Sequence, residues 1–539
     1  MTFTTKRLLQ NPNFVSRGDV AAPVHLRQWY ETPRGDGTPE AWCYTDQLSY
    51  GAGDIIRIHA TSTAEDVQFE LWSDGLACRL LWSGVAHSRW VETPENASVV
   101  GCGWPEVLQV PVNPDWPSCV CRLVMTASDG ASTEHLVLIR ADRNQTRRAV
   151  LLVADGTWNA YNDWGGSNHY EGVIESNSNR FSPELSVQRP YACGMVSLPD
   201  EAPRTLPTRP PSDDVPLYPH MEWAWKHGYS KKYASAGWAM YGRPFVHWAE
   251  QHRYALEFLS QRDLHRDPSL LEGVPCVICV GHDEYWSRPM RQAIDEYVDG
   301  GGHVARFAGN FMWQIRLSET GDRQICHKYK ARAEDPYYGT DQIHLTTNSW
   351  EAPEIKYPGR ATFGLDATSG LYAGFGGLAP RGAGGFTIYR EDHWAFVGAQ
   401  LGYGDILGGQ SKIFGYEVDG LQYRIEDGLP YPVPTDYLPE GLEILGLGLA
   451  RLREDALSEG DTLFVGDEDA KFIAEMFYEK TDEATLARVN RGSGMIVCFS
   501  RGAGEVFHAG TTEWVAGLVR RDVAVEQVTR NVLDRFLDR

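Results

Sequence analysis

Short apolar runs that end in polar clusters give this chain its most informative pattern. Residues 277–280 form an uninterrupted apolar run, which is typical of a strand buried on both faces, and the polar segment 281–287 follows at once. In open α/β sheets, ligands collect at the carboxyl ends of such strands. The pattern therefore predicts that segment 281–287 holds a metal, supplies an acid and a base, or caps a helix.

The residues that follow have the pattern of a strand–helix–strand unit. Residues 290–298 have the apolar spacing of an amphipathic helix that ends at the glycines 300–302, and residues 304–308 form the next buried run. A right-handed connection between parallel strands is the usual form of this unit. It would bring 282–286 and 309–313 to the same rim of a parallel sheet.

The same pattern predicts two further segments. Residues 148–154 form another buried strand, and the following residues 155–170 form a junction dense in Trp, Tyr and Asn. Such side chains are suited to line a pocket for a small polar substrate, although an aromatic surface loop would have the same composition. Residues 248–260 carry apolar side chains near helical spacing, which predicts a helix.

Three regions are predicted from these elements. Residues 1–147 contain short strands between Gly, Pro, Asp and Ser clusters, which predicts an antiparallel β-sandwich. Residues 148–323 and 462–539 are predicted to form a parallel-sheet α/β core of the glutamine-amidotransferase-like kind. Residues 324–461, rich in Gly and Tyr, are predicted to be an insertion of loops and strands that covers the site. The fold class is thus α/β plus all-β.

Charge and cysteine usage narrow the class of partner and the compartment. The net charge of −22 argues against nucleic acid and anionic membranes as partners. The first 11 residues lack the order of a signal peptide, and no apolar run approaches the roughly 18 residues of a membrane span. Ten cysteines scattered over a long chain are typical of reduced thiols, so we expect a cytoplasmic protein.

The common catalytic and metal motifs are missing from the sequence. It has no paired CxxC for zinc, no HExxH, no EF-hand loop, no P-loop and no GxSxG elbow. What remains for chemistry are phenols, carboxylates and histidines. Tyr and Glu oxygens are hard anionic ligands, for which Fe(III) is the natural match.

Four stretches give the chain a resemblance to a known family. Residues 158–166, 281–287, 309–313 and 504–514 are similar to those of the catalytic large subunit of bacterial N,N-dimethylformamidase and its relatives. The resemblance extends over most of the chain from about Tyr44 onward. It implies an amidohydrolase with a mononuclear, ferric iron that is held by two tyrosines and one glutamate.

The resemblance also implies which residues hold the iron. Tyr285 of the Glu-Tyr-Trp motif is the candidate first ligand, and Glu417 in Gly-Tyr-Glu-Val-Asp is the candidate carboxylate. Tyr329 is the candidate second phenolate, because it keeps the ligand order Tyr, Tyr, Glu. The competing tyrosines are Tyr161, Tyr170 and Tyr416.

Catalytic roles follow from metal-ion chemistry in such a site. The iron would polarise an amide carbonyl and make hydroxide available, and Glu284 or His282 would protonate the leaving amine. Asn162 and Asn310, at their strand ends, would donate hydrogen bonds to the developing oxyanion. His508 is expected beside the same rim, behind the ligands rather than among them.

Each of these assignments has an alternative. Asp283 or Ser287 would serve equally well to cap the following helix, and His282 would also fit as a structural histidine. The leading hypothesis is an iron-dependent hydrolase of a small or specialised amide. The alternatives are an iron- and oxygen-dependent tailoring enzyme and a non-catalytic protein that binds a carbohydrate or similar ligand.

The expected partner is a small-molecule amide substrate. A homo-oligomer is possible on this sequence. We find no clear counterpart of the family's extra β domain or of its small helical subunit in the chain. The assembly is therefore left open by the sequence.

Overall fold

The computed structural model describes most of the chain. The described residues are 14–17, 21–24, 27–141, 148–172, 182–204, 209–212, 215–371, 384–415, 417–451, 471, 474–475, 478–489 and 491–539. Tyr416, one of the competing metal ligands, lies outside these ranges, as does the predicted boundary near residue 461. Within the described ranges no helix combines the length and apolarity that are needed to cross a membrane.

The N-terminal region is built from β-strands. A five-stranded sheet has the order β4-β10-β9-β6-β7, and a three-stranded sheet has the order β3-β5-β8. All pairs are antiparallel except β10 with β4. The strands are β1 Phe14–Arg17, β2 Gln28–Glu31, β3 Ala41–Thr45, β4 Ser49–Tyr50, β5 Ile55–Ser62, β6 Asp66–Ser73, β7 Arg79–His87, β8 Glu106–Pro111, β9 Cys119–Ala127 and β10 Ser132–Ile139.

These two sheets share one hydrophobic core. Alternate residues of β6, such as Phe69 and Leu71, are buried and pack with Ile58 from β5 and Met125 from β9. Every second residue of such a strand is buried because only one face of the sheet packs against the core. The short runs in this part of the sequence therefore form strands where they were predicted.

The centre of the molecule is a nine-stranded mixed sheet with the order β15-β11-β16-β18-β29-β28-β27-β22-β23. The first five strands are parallel, and the remaining four are antiparallel to their neighbours. Its strands are β11 Ala149–Val153, β15 Leu256–Ser260, β16 Cys276–His282, β18 His303–Gly309, β22 Phe386–Ile388, β23 Ile406–Leu407, β27 Glu443–Arg451, β28 Arg491–Arg501 and β29 Gly504–His508.

The remaining elements are short strands and helices. The strands are β12 Glu184–Ser186, β13 Arg209–Ser212, β14 Val215–Leu217, β17 Tyr285–Ser287, β19 Trp313–Leu317, β20 Arg323–Ile325, β21 Asp366–Leu371, β24 Val418–Gly420, β25 Tyr423–Glu426 and β26 Leu429–Pro432. The α-helices are Ala97–Val100, Asp155–Tyr161, Pro219–His227, Arg243–Gln251, Gln261–Arg266, Arg288–Asp299, Ala331–Glu334, Arg360–Phe363, Glu483–Val489, Trp514–Val519 and Val523–Phe536. Single 3₁₀ or π turns are Trp238–Gly242, Pro268–Leu271, Lys328–Lys330, Ile343–Leu345 and Trp394–Phe396.

The central sheet is covered on both faces, which explains the uninterrupted apolar runs. Successive residues of β16 belong to opposite hydrophobic clusters: Val277 and Cys279 to one, Ile278 and Val280 to the other. Burial of a valine or isoleucine side chain contributes about 1.5–3 kcal/mol. A strand with this environment on each side has no polar face to expose.

The predicted strand–helix–strand unit is confirmed. β16 leads through helix Arg288–Asp299 to β18, and the two strands pair in parallel with His282 opposite Gly309. Beyond the strands, Tyr285 pairs with Trp313 in parallel register. The two polar segments therefore meet at one rim, as the apolar pattern predicted.

Three expectations differ from the structure. Residues 248–260 are not one helix: helix Arg243–Gln251 ends, Arg253 takes a positive φ of 64°, and β15 Leu256–Ser260 follows. Pairing with β11 outweighs the helical spacing there. The residues after β11 form helix Asp155–Tyr161 rather than a surface loop. All seven residues of this helix are buried.

The third difference is in the sheet itself. The core is a mixed α/β sheet rather than a purely parallel one. β22, β23 and β27 come from the region predicted as a covering insertion, and they extend the central sheet by antiparallel pairing. Glycines at alternate positions of β27, Gly446 and Gly448, weaken its strand pattern, because glycine is disfavoured in strand interiors.

Candidate active site

The candidate active site lies at the carboxyl ends of β16 and β18. His282 is the last residue of β16, and Asn310 follows β18 with a left-handed φ of 62°. Gly281 has a φ of +79°, and a Cβ there would lie 2.4 Å from the Tyr241 ring. Glycine is therefore required at this turn, where the backbone passes close to an aromatic ring.

His282 joins two carboxylates that come from distant parts of the chain. Its Nδ1–H donates to the Ser235 carbonyl (2.7 Å), which turns Nε2 toward Glu417 (2.9 Å) and Glu284 (3.3 Å). Burial opposes the charged imidazolium, but the two carboxylates outweigh it and raise the pKa of His282 to about 10. Asn310 Nδ2 donates to the same Glu417 oxygen (2.7 Å).

Glu284 is fully buried and accepts hydrogen bonds from three aromatic side chains. The donors are the hydroxyl of Tyr161 (3.0 Å), the hydroxyl of Tyr170 (2.7 Å) and Nε1 of Trp313 (2.6 Å). Burial alone would raise the pKa of Glu284, but the hydrogen bond and charge of His282 lower it below its usual value. Glu284 is thus held as an anion.

Glu417 faces the same imidazole, but its pKa is shifted in the opposite direction. Burial raises the pKa of Glu417 above its usual value, and His282 only partly offsets this. Because Glu284 adds a second negative charge nearby, the three groups share their protons. The cluster can therefore hold and pass a proton.

The two predicted tyrosine ligands lie beside this cluster. The hydroxyl of Tyr285 donates to that of Tyr170 (2.8 Å), which in turn donates to Glu284. Burial and the negative charge of Glu284 raise the pKa of Tyr285. Tyr329, which is half-buried, packs edge-on against the Trp313 ring with 5.6 Å between centroids.

A buried ammonium group lies between these rings. The Nζ of Lys328 is 3.3 Å from the ring centroid of Tyr170, 4.8 Å from that of Tyr329 and 5.6 Å from that of Tyr285. Lys328 is completely buried, and its Nζ has no hydrogen-bond partner among the described residues. Burial lowers the pKa of Lys328 to about 7, although Glu284 counteracts this.

Oxygen donors of the type that a hard cation takes, the hydroxyls of Tyr285 and Tyr329, belong to rings near this ammonium. Among the described residues, no group of three or more His, Cys, Asp or Glu is placed to hold a metal ion. A metal site here would therefore depend on tyrosine hydroxyls, and the rings of Tyr285 and Tyr329 both face the buried positive charge. Phenol and carboxylate oxygens are the ligands that ferric iron prefers.

Two predicted catalytic residues lie outside the cluster. Asn162 Nδ2 donates to the Pro190 carbonyl (2.9 Å), and its Oδ1 accepts from the Ala192 N–H (3.0 Å). Both ends of this side chain thus fix the backbone that follows helix Asp155–Tyr161.

His508, at the end of β29, also lies apart. Its Nδ1 contacts the Phe363 carbonyl (3.0 Å), and its Nε2 lies 3.2 Å from Arg306 Nε. It is linked to the cluster through Asp419, which accepts the backbone N–H of Asn310 (2.9 Å).

Of the two residues that could cap the helix after β17, Ser287 and Asp283, one does so. The Ser287 hydroxyl accepts the Met290 N–H (3.4 Å) at the start of helix Arg288–Asp299. Asp283 instead accepts from Gln261 (2.6 Å) and Trp286 (2.8 Å) and forms an ion pair with Arg306. Ser287 therefore caps the helix, and Asp283 does not.

Sequence reasoning missed Lys328 and underrated Tyr161 and Tyr170. The two tyrosines had a usable indication, because they lie in the aromatic segment predicted to line a pocket. Lys328 had none. It occupies a single 3₁₀ turn with a φ of +50°, and nothing in the local sequence predicts that its side chain is buried.

Comparisons with known proteins place the chain in a family. A search of curated proteins finds no match. Among solved structures, a Paenibacillus sp. cycloisomaltooligosaccharide glucanotransferase in complex with cycloisomaltoheptaose is 16% identical, with a TM-score of 0.12. The match spans 22% of this chain and 17% of that one. The model of the family described as N,N-dimethylformamidase beta subunit-like, C-terminal, matches residues 67–527, and the chain belongs to this family.

Proposed function

We propose that this protein hydrolyses the C–N bond of a small amide with the help of a mononuclear iron. Membership of the N,N-dimethylformamidase beta subunit-like family suggests an amide hydrolase. The observation that carries the proposal is the buried cluster of His282, Glu284 and Glu417 at the strand ends. Next to it lie phenols and an ammonium that has no hydrogen-bond partner in the described part of the chain. Amide hydrolysis needs both a polarised carbonyl and a proton for the leaving amine.

Tyr285, Tyr329 and Glu417 would hold the iron. Buried phenols with a raised pKa become good anionic ligands when a cation supplies the compensating charge. When bound, iron supplies a Lewis acid that polarises the carbonyl and lowers the pKa of a water molecule. The family resemblance gives this ligand set, and the proposal is supported by the proximity of the Tyr285 and Tyr329 rings to Lys328.

His282 would carry the proton to the leaving amine. Its ring is fixed by the bond from Nδ1 to Ser235, so the proton on Nε2 points into the cluster. The two carboxylates favour the charged imidazolium, which is the form that an acid must have before it donates. This transfer leaves a neutral imidazole, and Glu417, whose pKa is raised, would return a proton to it after taking one from the attacking water.

Glu284 and Asn310 would position the reacting groups rather than react. Three aromatic side chains donate to Glu284 and hold it as an anion. Glu284 in turn fixes the hydroxyls of two of these donors, Tyr161 and Tyr170. The amide of Asn310 already donates to Glu417. We therefore assign Asn310 to orienting that carboxylate instead of donating to an oxyanion. Each role depends on geometry that is already formed.

Lys328 would donate to the substrate carbonyl oxygen. Its Nζ makes no hydrogen bond with a described residue, and it lies among aromatic rings that exclude water. An ammonium in such surroundings interacts more strongly with developing negative charge than one in water. Its N–H groups are thus available to a bound amide.

Elemental analysis and visible spectroscopy of the purified protein test the metal part of this proposal. We expect bound iron and the colour of a tyrosinate–Fe(III) charge-transfer band, both lost in Tyr285→Phe and in Glu417→Gln. Tyr403→Phe, a change at an exposed tyrosine, is the matched control and should keep both. Metal-free, colourless wild-type protein, or full iron retention by Tyr285→Phe, would contradict the proposal.

A further inference from the structure

A cavity lies behind the helix that borders the candidate active site. It has a volume of about 340 Å³ and lies between the N-terminal sheets and the α/β core. Gln47, Arg266 and Thr320 are exposed and line its mouth, while Asp155 and Asn159 line its buried end. A space of this size accepts a small molecule rather than a polymer.

Helix Asp155–Tyr161 separates the two sites. Asp155 and Asn159 are four residues apart, hence on one helix face, and both line the cavity. Tyr161 points the other way, since its hydroxyl donates to Glu284 in the candidate active site. The cavity is therefore a site of its own.

Two buried, uncharged polar atoms of the cavity wall have no hydrogen-bond partner among the described residues. Asn159 is 4% exposed and His135 is 3% exposed. Neither Asn159 Nδ2 nor His135 Nδ1 has a hydrogen-bond partner among the described residues. Leaving a buried donor or acceptor unpaired costs about 1–3 kcal/mol. Such atoms in a cavity wall are suited to bind a ligand.

The charged groups of the wall, in contrast, already interact with the protein. Asp155 forms an ion pair with Arg262, with 2.9 Å between Oδ2 and Nε. Arg189 donates to backbone carbonyls, including that of Trp164 (2.6 Å), and Asp263 accepts the hydroxyl of Ser49 (2.6 Å). Because these charged groups already have protein partners, a ligand that needs only the two unpartnered polar atoms is favoured, and such a ligand is uncharged.

We propose that this cavity binds a small uncharged carboxamide. The ligand carbonyl would accept from Asn159 Nδ2, and its N–H would donate to Nδ1 of His135. The rings of His135 and Tyr191 lie 5.2 Å apart and tilted by 31°, which gives a flat wall for a planar amide. Burial lowers the pKa of His135 to about 3, so its imidazole is neutral and can accept.

The site goes beyond the proposed reaction and does not rest on it. An amide held here contacts none of the groups assigned to the chemistry. It would instead contact the opposite face of the helix that carries Tyr161. Binding at this cavity can therefore be measured whether or not the protein hydrolyses amides.

Fluorine NMR with 2-fluoroacetamide tests the proposal. The titration is made in a His282→Gln background, which removes the proposed proton donor and so suppresses turnover. Asn159→Asp removes the amide donor with little change in shape, and we expect about tenfold weaker binding, which corresponds to about 1.4 kcal/mol. Asn113→Asp, at an exposed asparagine, carries the same charge change and should bind as before.

A second variant and a second probe keep the test decisive. His135→Phe keeps an aromatic ring against Tyr191 but removes the hydrogen-bond acceptor. It can therefore test the proposal if Asn159→Asp fails to fold. We expect it to weaken binding similarly, and we expect 2-fluoroacetate to bind at least about tenfold more weakly than the amide. Equal binding by Asn159→Asp and Asn113→Asp, by His135→Phe and its parent, or of amide and acetate would overturn the proposal.

Discussion

Two buried networks lie side by side at the same strand ends, and they differ in how their charges are paired. In the first network, which we call the reactive cluster (His282, Glu284, Glu417, Lys328), two carboxylates compete for one imidazole nitrogen and an ammonium has no hydrogen-bond partner among the described residues. In the second, the structural cluster (Asp283, Arg306, His508, Asp419), Asp283 is paired with Arg306 and accepts two further hydrogen bonds.

The difference follows from consecutive residues of one segment. His282 and Glu284 face one side, while Asp283 between them faces the other, as alternation along an extended chain requires. Both sides are equally buried, so burial does not distinguish function from structure. Incomplete pairing does, because it leaves groups free to exchange protons or to bind a ligand.

The largest expected effect comes from removing the acid of the reactive cluster. His282→Gln should lower kcat for amide hydrolysis by about 10²–10⁴-fold, because the leaving amine loses its proton donor. The measurement is the rate of amine release at saturating substrate. His227→Gln, at an exposed histidine, is the control. Unchanged kcat in His282→Gln would remove this residue from the mechanism.

A break in the structural cluster should lower stability. Arg306→Met leaves the Asp283 carboxylate buried without its charged partner, which should cost about 3–5 kcal/mol in the free energy of unfolding. Urea denaturation measures this quantity. Arg57→Met breaks an exposed pair with Glu106 and should cost at most about 1 kcal/mol. Equal effects of the two changes would show that the Asp283–Arg306 pair does not stabilise the fold.

The buried carboxyl groups of Glu351 and Asp366 should make the free energy of unfolding depend on pH. Burial and the Asp366 carboxylate raise the pKa of Glu351 from 4.5 to about 8. The folded state therefore binds more protons than the unfolded state between these pH values, and the free energy of unfolding should fall as pH rises from 4.5 to 8. In Glu351→Gln this dependence should become weaker.

Urea denaturation at pH 5.5 and 8.5 checks this slope. Glu319→Gln, at an exposed glutamate, should keep the wild-type dependence. If Glu351→Gln and wild type lose the same stability between the two pH values, the Glu351 carboxyl is not the source of it.

The smallest expected effect concerns the helix cap. Ser287→Ala removes the hydroxyl that accepts the Met290 N–H and should cost about 1 kcal/mol in the free energy of unfolding. Ser287→Thr keeps a hydroxyl at the cap and should recover most of the loss. If Ser287→Ala is as stable as wild type, the cap contributes nothing.

The sequence predicted the parts of the site that lie on the central strands. Continuous apolar runs identified β16 and β18, and parallel pairing then brought His282 and Asn310 to one rim. The family resemblance was needed for Glu417, which comes from the glycine-rich region. Its approach to His282 joins residues 135 positions apart, and no local pattern encodes such a contact.

Other parts could not be predicted for physical reasons. Asn162 follows a buried strand run, but the chain forms a short helix there, and the side chain is used to hold backbone groups. Residues 256–260 resemble a helix by spacing but pair as an edge strand. Lys328 is buried because aromatic rings from three segments surround it, which depends on tertiary structure alone.

The most direct test of iron-dependent amide hydrolysis is the rate of amine release before and after iron removal. Purified protein is assayed with N,N-dimethylformamide and a panel of small amides, then with chelator, and then with iron restored. We predict that amine release is lost with the metal and returns with it. Amine release that continues unchanged in iron-free protein, or its absence from iron-loaded protein, would contradict the account.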